Sequence, residues 1–79
     1  MREQQITRET VARVLAKVAD ALDADQPNSK MTNAARLGRI SLFTPGQPDL
    51  FDVALMAAPA IDPQITRGEY AAQLRAVAA

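Results

Sequence analysis

The stretch TRETVARVLAKVADAL, residues 7–22, decides the fold of this chain. Its larger apolar residues recur three and four positions apart, which places them on one face of an α-helix. These residues are Val11, Val14, Leu15, Val18 and Leu22. Thr7 is a suitable N-cap, and Ile6 and Val11 stand at the two ends of a hydrophobic staple. The pattern predicts a first helix that fades at residues 23–25, followed by a loop over residues 23–30.

The same start signal returns near the end of the sequence. Residues 64–67, Gln-Ile-Thr-Arg, repeat residues 5–8 at an offset of 59 positions. Glu69 follows Thr66 by three residues, as in a capping box, and Tyr70, Leu74 and Val77 form the predicted buried stripe of a last helix. A duplicated element would explain the repeat, and so would two amphipathic helices that converged on one start signal. We favour convergence and leave duplication open.

The middle of the chain allows two interpretations. Thr32 can cap a helix from Asn33 to about Leu42, and Pro48 suits the first position of a helix over residues 48–58. Residues 44–47, Thr-Pro-Gly-Gln, have Pro and Gly where a type II turn needs them. Alternation at residues 39–42 and 51–55 would instead make a β-hairpin. The helix signals predict an all-α fold, a small bundle of three to four short helices in a single domain over residues 1–79. The alternative is an α+β fold with a central hairpin around residues 44–47.

Composition excludes several ways of stabilising such a chain. Its 79 residues contain no cysteine and no histidine, so disulfides and thiolate or imidazole zinc sites are excluded. Alanine supplies 16 of the apolar residues, which leaves few large side chains for a core. A small core of this kind favours a protein partner, and a homodimer would supply additional burial.

The sequence predicts no catalytic centre. Ser29 and Ser41 are the only serines, and the usual activating base is missing. Asp20, Asp23 and Asp25 cluster at the end of the first helix, where we expect a solvated acidic rim rather than a cation site. We therefore predict a protein that is not an enzyme and has no metal or cofactor.

No membrane or export signal is evident. Residues 1–5 are polar, and the longest run without a charged or strongly polar residue, residues 53–61, is too short to cross a bilayer. We therefore expect a cytoplasmic protein without membrane association.

Basic residues suggest a role in binding nucleic acid or a protein. Lys30, Arg36 and Arg39 are candidate phosphate contacts, because the last two would share one helical face. Nine Lys and Arg balance nine Asp and Glu, however, so nucleic-acid binding is not the favoured function. Arg8 and Arg67 occupy the first position of their helices, where a cation opposes the helix dipole. The presence of arginine at this position in both helices suggests that the two residues contact the same acidic surface of a partner.

One short motif is more specific. Residues 47–51, Gln-Pro-Asp-Leu-Phe, resemble the pentapeptides with which bacterial polymerases and other replication and repair proteins bind the DNA sliding clamp. The resemblance implies that Leu50 and Phe51 fill an apolar pocket, with Gln47 hydrogen-bonded at its rim and Asp49 in the acidic position. Pro48 departs from the alanine or leucine that is usual there, and Leu50 and Phe51 can equally belong to the core.

These observations favour one function over two alternatives. The expected function is that of a non-catalytic intracellular regulator, adaptor or inhibitor that occupies the surface of a protein partner. Accessory proteins of phages and other mobile elements are of this kind. The alternatives are a small DNA-binding regulator that uses Lys30, Arg36 and Arg39 as a dimer, and a clamp-binding protein that uses residues 47–51.

Overall fold

The computed structural model describes residues 6–79 and forms a bundle of four helices. They are α1 (Arg8–Ala24), α2 (Asn33–Leu42), α3 (Pro48–Ala57) and α4 (Arg67–Ala78). The all-α prediction is confirmed. The hairpin alternative is wrong, because residues 39–42 end α2 and residues 51–55 lie inside α3. Within residues 6–79, strand-like pairing is limited to one isolated bridge between Lys30 and Thr66. Gln5, the first residue of the repeated start, and the polar segment 1–5 lie outside the described residues.

Helix α1 begins and ends where its sequence signals lie. The Thr7 side chain accepts a hydrogen bond from the Thr10 amide at 3.1 Å, which satisfies one of the free donors of the first turn. At the other end, Gln26 adopts a left-handed conformation with φ of 55°. Pro27 follows directly, so the helix cannot continue.

Helix α1 carries the centre of the core. Its predicted stripe is buried, together with Ala19. Helix α4 packs most extensively against α1 and contributes the buried Tyr70, Ala71 and Leu74. The start of α4 lies beside Asp25 at the end of α1, and Val77, near the end of α4, lines the same cleft as Val11, near the start of α1, so the two helices run antiparallel. The prediction that Val77 is buried is wrong, because 44% of it is exposed.

The α2–α3 connection is the predicted turn. The Gln47 amide donates to the Thr44 carbonyl at 3.2 Å, and Gly46 has a φ of 68°, as the third position of a type II turn requires. Thr44 is buried, and its hydroxyl donates to the carbonyl of Ile40 at 2.8 Å. Helix α3 ends at Ala57, one residue before the predicted end.

The segment between α3 and α4 is held at Pro59. Its carbonyl accepts hydrogen bonds from the Tyr70 hydroxyl at 2.6 Å and from Arg36 Nη1 at 3.1 Å. Burial raises the pKa of the Tyr70 phenol above its ordinary 10.0, and the neighbouring positive charge of Arg36 partly opposes this shift. These two hydrogen bonds therefore connect α2 and α4 to the same loop carbonyl.

The start of α4 is also held by the loop after α1. The Arg67 amide donates to the Ser29 carbonyl and the Gly68 amide to the Pro27 carbonyl, both at 2.8 Å. The Met31 amide donates to the Ile65 carbonyl at 2.9 Å. The first two bonds give first-turn amides of α4 partners that the helix itself cannot supply, and the third joins the same loop to the residue before the N-cap.

Candidate protein-binding cleft

Ion pairs close the bundle at the C-terminal end of α1. Arg75 of α4 pairs with Asp20 at 2.9 Å and with Asp23 at 2.6 Å. Both hydrogen bonds raise the pKa of Arg75 above its ordinary value, and the bond with Asp20 has the larger effect. Asp25 accepts from Arg39 at 2.7 Å and from Arg67 at 3.2 Å. The carboxylates oppose the helix dipole, and arginines of α2 and α4 compensate their charge. The expected acidic rim is therefore paired as well as partly solvated.

The opposite end of α1 is open. Helices α3 and α4 both pack on α1 without packing extensively on each other. A cleft of about 350 Å³ lies between them, with Val11 and Leu15 of α1 in its lining. The complete lining consists of Ile6, Thr7, Arg8, Val11, Ala12, Leu15, Val53, Ala57 and Val77, and we call it the apolar cleft.

Large apolar side chains are exposed around this cleft. The exposed fraction is 39% for Val53 and 44% for Val77, and both line the cleft. Met56, on the solvent side of α3, is 85% exposed. Leu42 is 66% exposed but lies at the end of α2, away from the cleft lining. Two of these four exposed residues, Val53 and Val77, thus line one cleft beside the core, which indicates a contact surface.

A second depression adjoins the apolar cleft at Ile6, which lines both. It has a volume of about 230 Å³ and is otherwise lined by Thr10 and residues 46–50. The structure thereby brings four predicted partner-binding residues to neighbouring positions around Ile6. They are Arg8, Gln47, Asp49 and Leu50.

The two other predicted partner-binding residues lie elsewhere. Arg67 is at the far end of α1, where its Nη1 donates to the Asp25 carbonyl at 3.0 Å as well as to the carboxylate. Phe51 packs against the core and lines a separate depression with Ser41 and Thr44. Arg8 is exposed, so the two arginines that share a helix position have different surroundings.

The clamp-like pentapeptide forms the start of α3. Gln47 is the N-cap residue and makes no side-chain capping bond, Asp49 is exposed, and Leu50 is 5% exposed. Insertion of Leu50 and Phe51 into a partner's pocket would require the first turn of α3 to unwind and the core to open.

The three candidate phosphate contacts differ in availability. Lys30 is exposed. Arg36 donates to Pro59 and, at 2.7 Å, to Asn33, whereas Arg39 donates to the Ala35 carbonyl and pairs with Asp25. Both guanidinium groups therefore have partners within the chain.

The part of α3 that lines the cleft was not predicted from the sequence. Val53 and Ala57 lie beside Leu50 and Ala54 on the helix, and Phe51 and Leu55 pack toward the core from the other side. Helix α3 thus has more apolar positions than one buried face requires. This excess of apolar residues could have indicated the cleft from the sequence, because a helix that is apolar beyond one stripe needs a second contact.

Comparison with known proteins gives no relative. No protein-family model, curated protein or solved structure matches the chain significantly. Among residues 6–79, no cluster of three acidic residues is placed to hold a metal ion. None of the helices within that range combines the length and apolar character needed to span a bilayer.

Proposed function

We propose that this chain is a non-catalytic intracellular protein-binding module, acting as a regulator, adaptor or inhibitor, and that the apolar cleft is its contact surface. The observation that carries the proposal is the partial exposure of Val53 and Val77 beside a cleft that reaches the core residues Val11 and Leu15. Removing such surface from water is favourable, at roughly 25 cal/mol per Å² of apolar area.

The lining of the cleft determines the kind of partner. Val53, Ala57 and Val77 offer apolar contacts, whereas Arg8 offers a charge at the edge. A protein segment with an apolar side chain for the cleft and an acidic residue for Arg8 meets both requirements. Because apolar burial supplies most of the affinity, the complex should tolerate salt.

A matched pair of variants tests this function. The Val77→Glu variant places a charge beside the cleft, whereas Leu42→Glu places the same charge on an exposed residue outside it. Affinity purification from the native host with mass spectrometry should recover a protein partner with the wild type and Leu42→Glu, but not with Val77→Glu. Equal recovery with all three would contradict a role for the cleft.

Binding to duplex DNA distinguishes the principal alternative. A protein-binding module should have no measurable affinity for duplex DNA, whereas a DNA-binding protein should bind with an affinity that falls steeply as salt rises. Salt-dependent DNA binding that is lost in a Lys30→Ala variant would replace the present proposal, because Lys30 is exposed and the substitution leaves the partners of Arg36 and Arg39 unchanged.

A further inference from the structure

We infer that a second copy of this chain covers the apolar cleft, forming a dimer with two-fold symmetry when no other partner is bound. The inference rests on the proposed function in one respect, because it takes the apolar cleft as a contact surface. It adds an occupant and a form of regulation, since the dimer and a complex with another protein would use the same residues.

Charges at the edges of the cleft support a self-complementary contact. Arg8 lines the apolar cleft on the side of α1, and Asp49 lines the adjoining depression at the start of α3. Both residues are exposed, and neither has an ion-pair partner within residues 6–79. In a two-fold dimer, each contact occurs twice, so Arg8 of each copy can face Asp49 of the other.

Apolar residues of the cleft, beside these charges, would form the centre of the interface. Val53 and Val77 stand on opposite sides of the cleft, on α3 and α4. When two such clefts face each other, the valines of one copy can pack against those of the other. Met56 lies next to this region on α3, and its flexible side chain can fill irregular space at the contact. The arrangement of an apolar centre with a charged rim is typical of protein interfaces.

Sedimentation equilibrium of the purified chain tests the dimer directly. The wild type and Leu42→Glu should both sediment as dimers, and Val77→Glu should weaken dimerisation by about tenfold or more. A circular-dichroism melt verifies that Val77→Glu remains folded, as expected for a side chain that is 44% exposed. A wild type that stays monomeric at millimolar concentration would overturn the inference.

A charge exchange tests the proposed pairing. Arg8→Asp should weaken the dimer about tenfold at low salt, and so should Asp49→Arg, while the double variant should recover an affinity within about threefold of the wild type. Arg8→Asp places an acid at the start of α1, where it favours the helix, so weakening cannot be attributed to a damaged helix. If the double variant is weaker than both single variants, the pairing is wrong.

The two proposals fail in different ways. If the chain is monomeric but wild type and Leu42→Glu still capture a protein that Val77→Glu does not, the second-copy inference fails and the proposed function stands. If the chain dimerises through the cleft and no other protein is captured, the proposed regulatory role fails and the dimer stands.

Discussion

Two glycines lie in helices but have different surroundings. A Cβ on Gly38, in α2, would meet no other atom within 4 Å. A Cβ on Gly68, in the first turn of α4, would lie 3.3 Å from the Pro27 carbonyl oxygen and 3.4 Å from the Pro27 side chain. Gly68 therefore permits the close approach of the loop to α4, whereas nothing around Gly38 requires a glycine.

Alanine at these two positions should have opposite effects on stability. Gly38→Ala should raise the free energy of unfolding by roughly 0.5–1 kcal/mol, because alanine loses less backbone entropy in a helix. Gly68→Ala should lower it by about 1 kcal/mol, because the Pro27 loop must shift. Urea denaturation of both variants measures the difference. Equal stabilisation by the two alanines would show that the Pro27 contact is not restrictive.

Tyr70 provides a test in alkaline solution. Its folded-state pKa is raised above 10.0 by burial, so the contribution of this group to stability is fully present below pH 10.0 and is lost as pH rises through the folded pKa. The chain has one tyrosine and no tryptophan, so tyrosinate absorbance reports this group alone. We expect its ionisation midpoint above 10.0.

The Tyr70→Phe variant is the control for this titration. It should lose about 1 kcal/mol at neutral pH, because the hydrogen bond to Pro59 is absent, and it should lose less additional stability above pH 10.0 than the wild type. A wild-type ionisation midpoint at or below 10.0 in the folded protein would contradict the burial of the phenol.

At the scale of elements, the two repeated helix starts differ in their capping. Thr66 accepts from the Glu69 amide at 3.2 Å, and the Glu69 side chain accepts from the Thr66 amide at 2.9 Å, so α4 has a complete capping box. Thr7 accepts from the Thr10 amide, and Thr10 has a hydroxyl where α4 has the Glu69 carboxylate. The first turn of α4 also donates backbone hydrogen bonds to the Pro27 loop.

Removing the two caps should therefore have unequal effects. Thr66→Ala should cost about 1–2 kcal/mol, because the start of α4 is held in the fold and cannot fray freely. Thr7→Ala should cost about 0.5 kcal/mol, because the first turn of α1 borders the open cleft. Thermal unfolding of the matched variants gives the comparison. A larger loss from Thr7→Ala would indicate that the start of α1 is the more constrained.

The sequence predicted the helices well because their start signals are local. The capping threonines, the turn at residues 44–47 and the stripe of α1 each act within a few residues, so their outcome depends little on the rest of the chain. Val77 shows that burial cannot be predicted from helical spacing alone. Its spacing matches the buried stripe of α4, but its burial depends on whether α3 reaches it, and the bundle leaves it exposed.

At the scale of the whole molecule, side-chain partners that are far apart in the sequence were the features that could not be predicted. Arg75 pairs with Asp20 across 55 residues of sequence, and Arg67 pairs with Asp25 across 42. Neither of these sequence separations follows from the periodicity of a helix or a strand, so the sequence pattern did not indicate that the residues would pair. The cleft likewise arises from how three helices pack, although the excess of apolar residues on α3 indicated that a further contact was needed.

The packing of α1 against α4 has a consequence for how the chain folds. The main interface of the bundle joins its first and last helices, so its contacts span most of the sequence. A contact of such long range requires the closure of a large loop before any apolar area is gained, and this slows folding compared with bundles whose neighbouring helices pair. Neither α1 with α2 nor α3 with α4 contains a complete core, so we expect one cooperative transition without a stable half-folded intermediate.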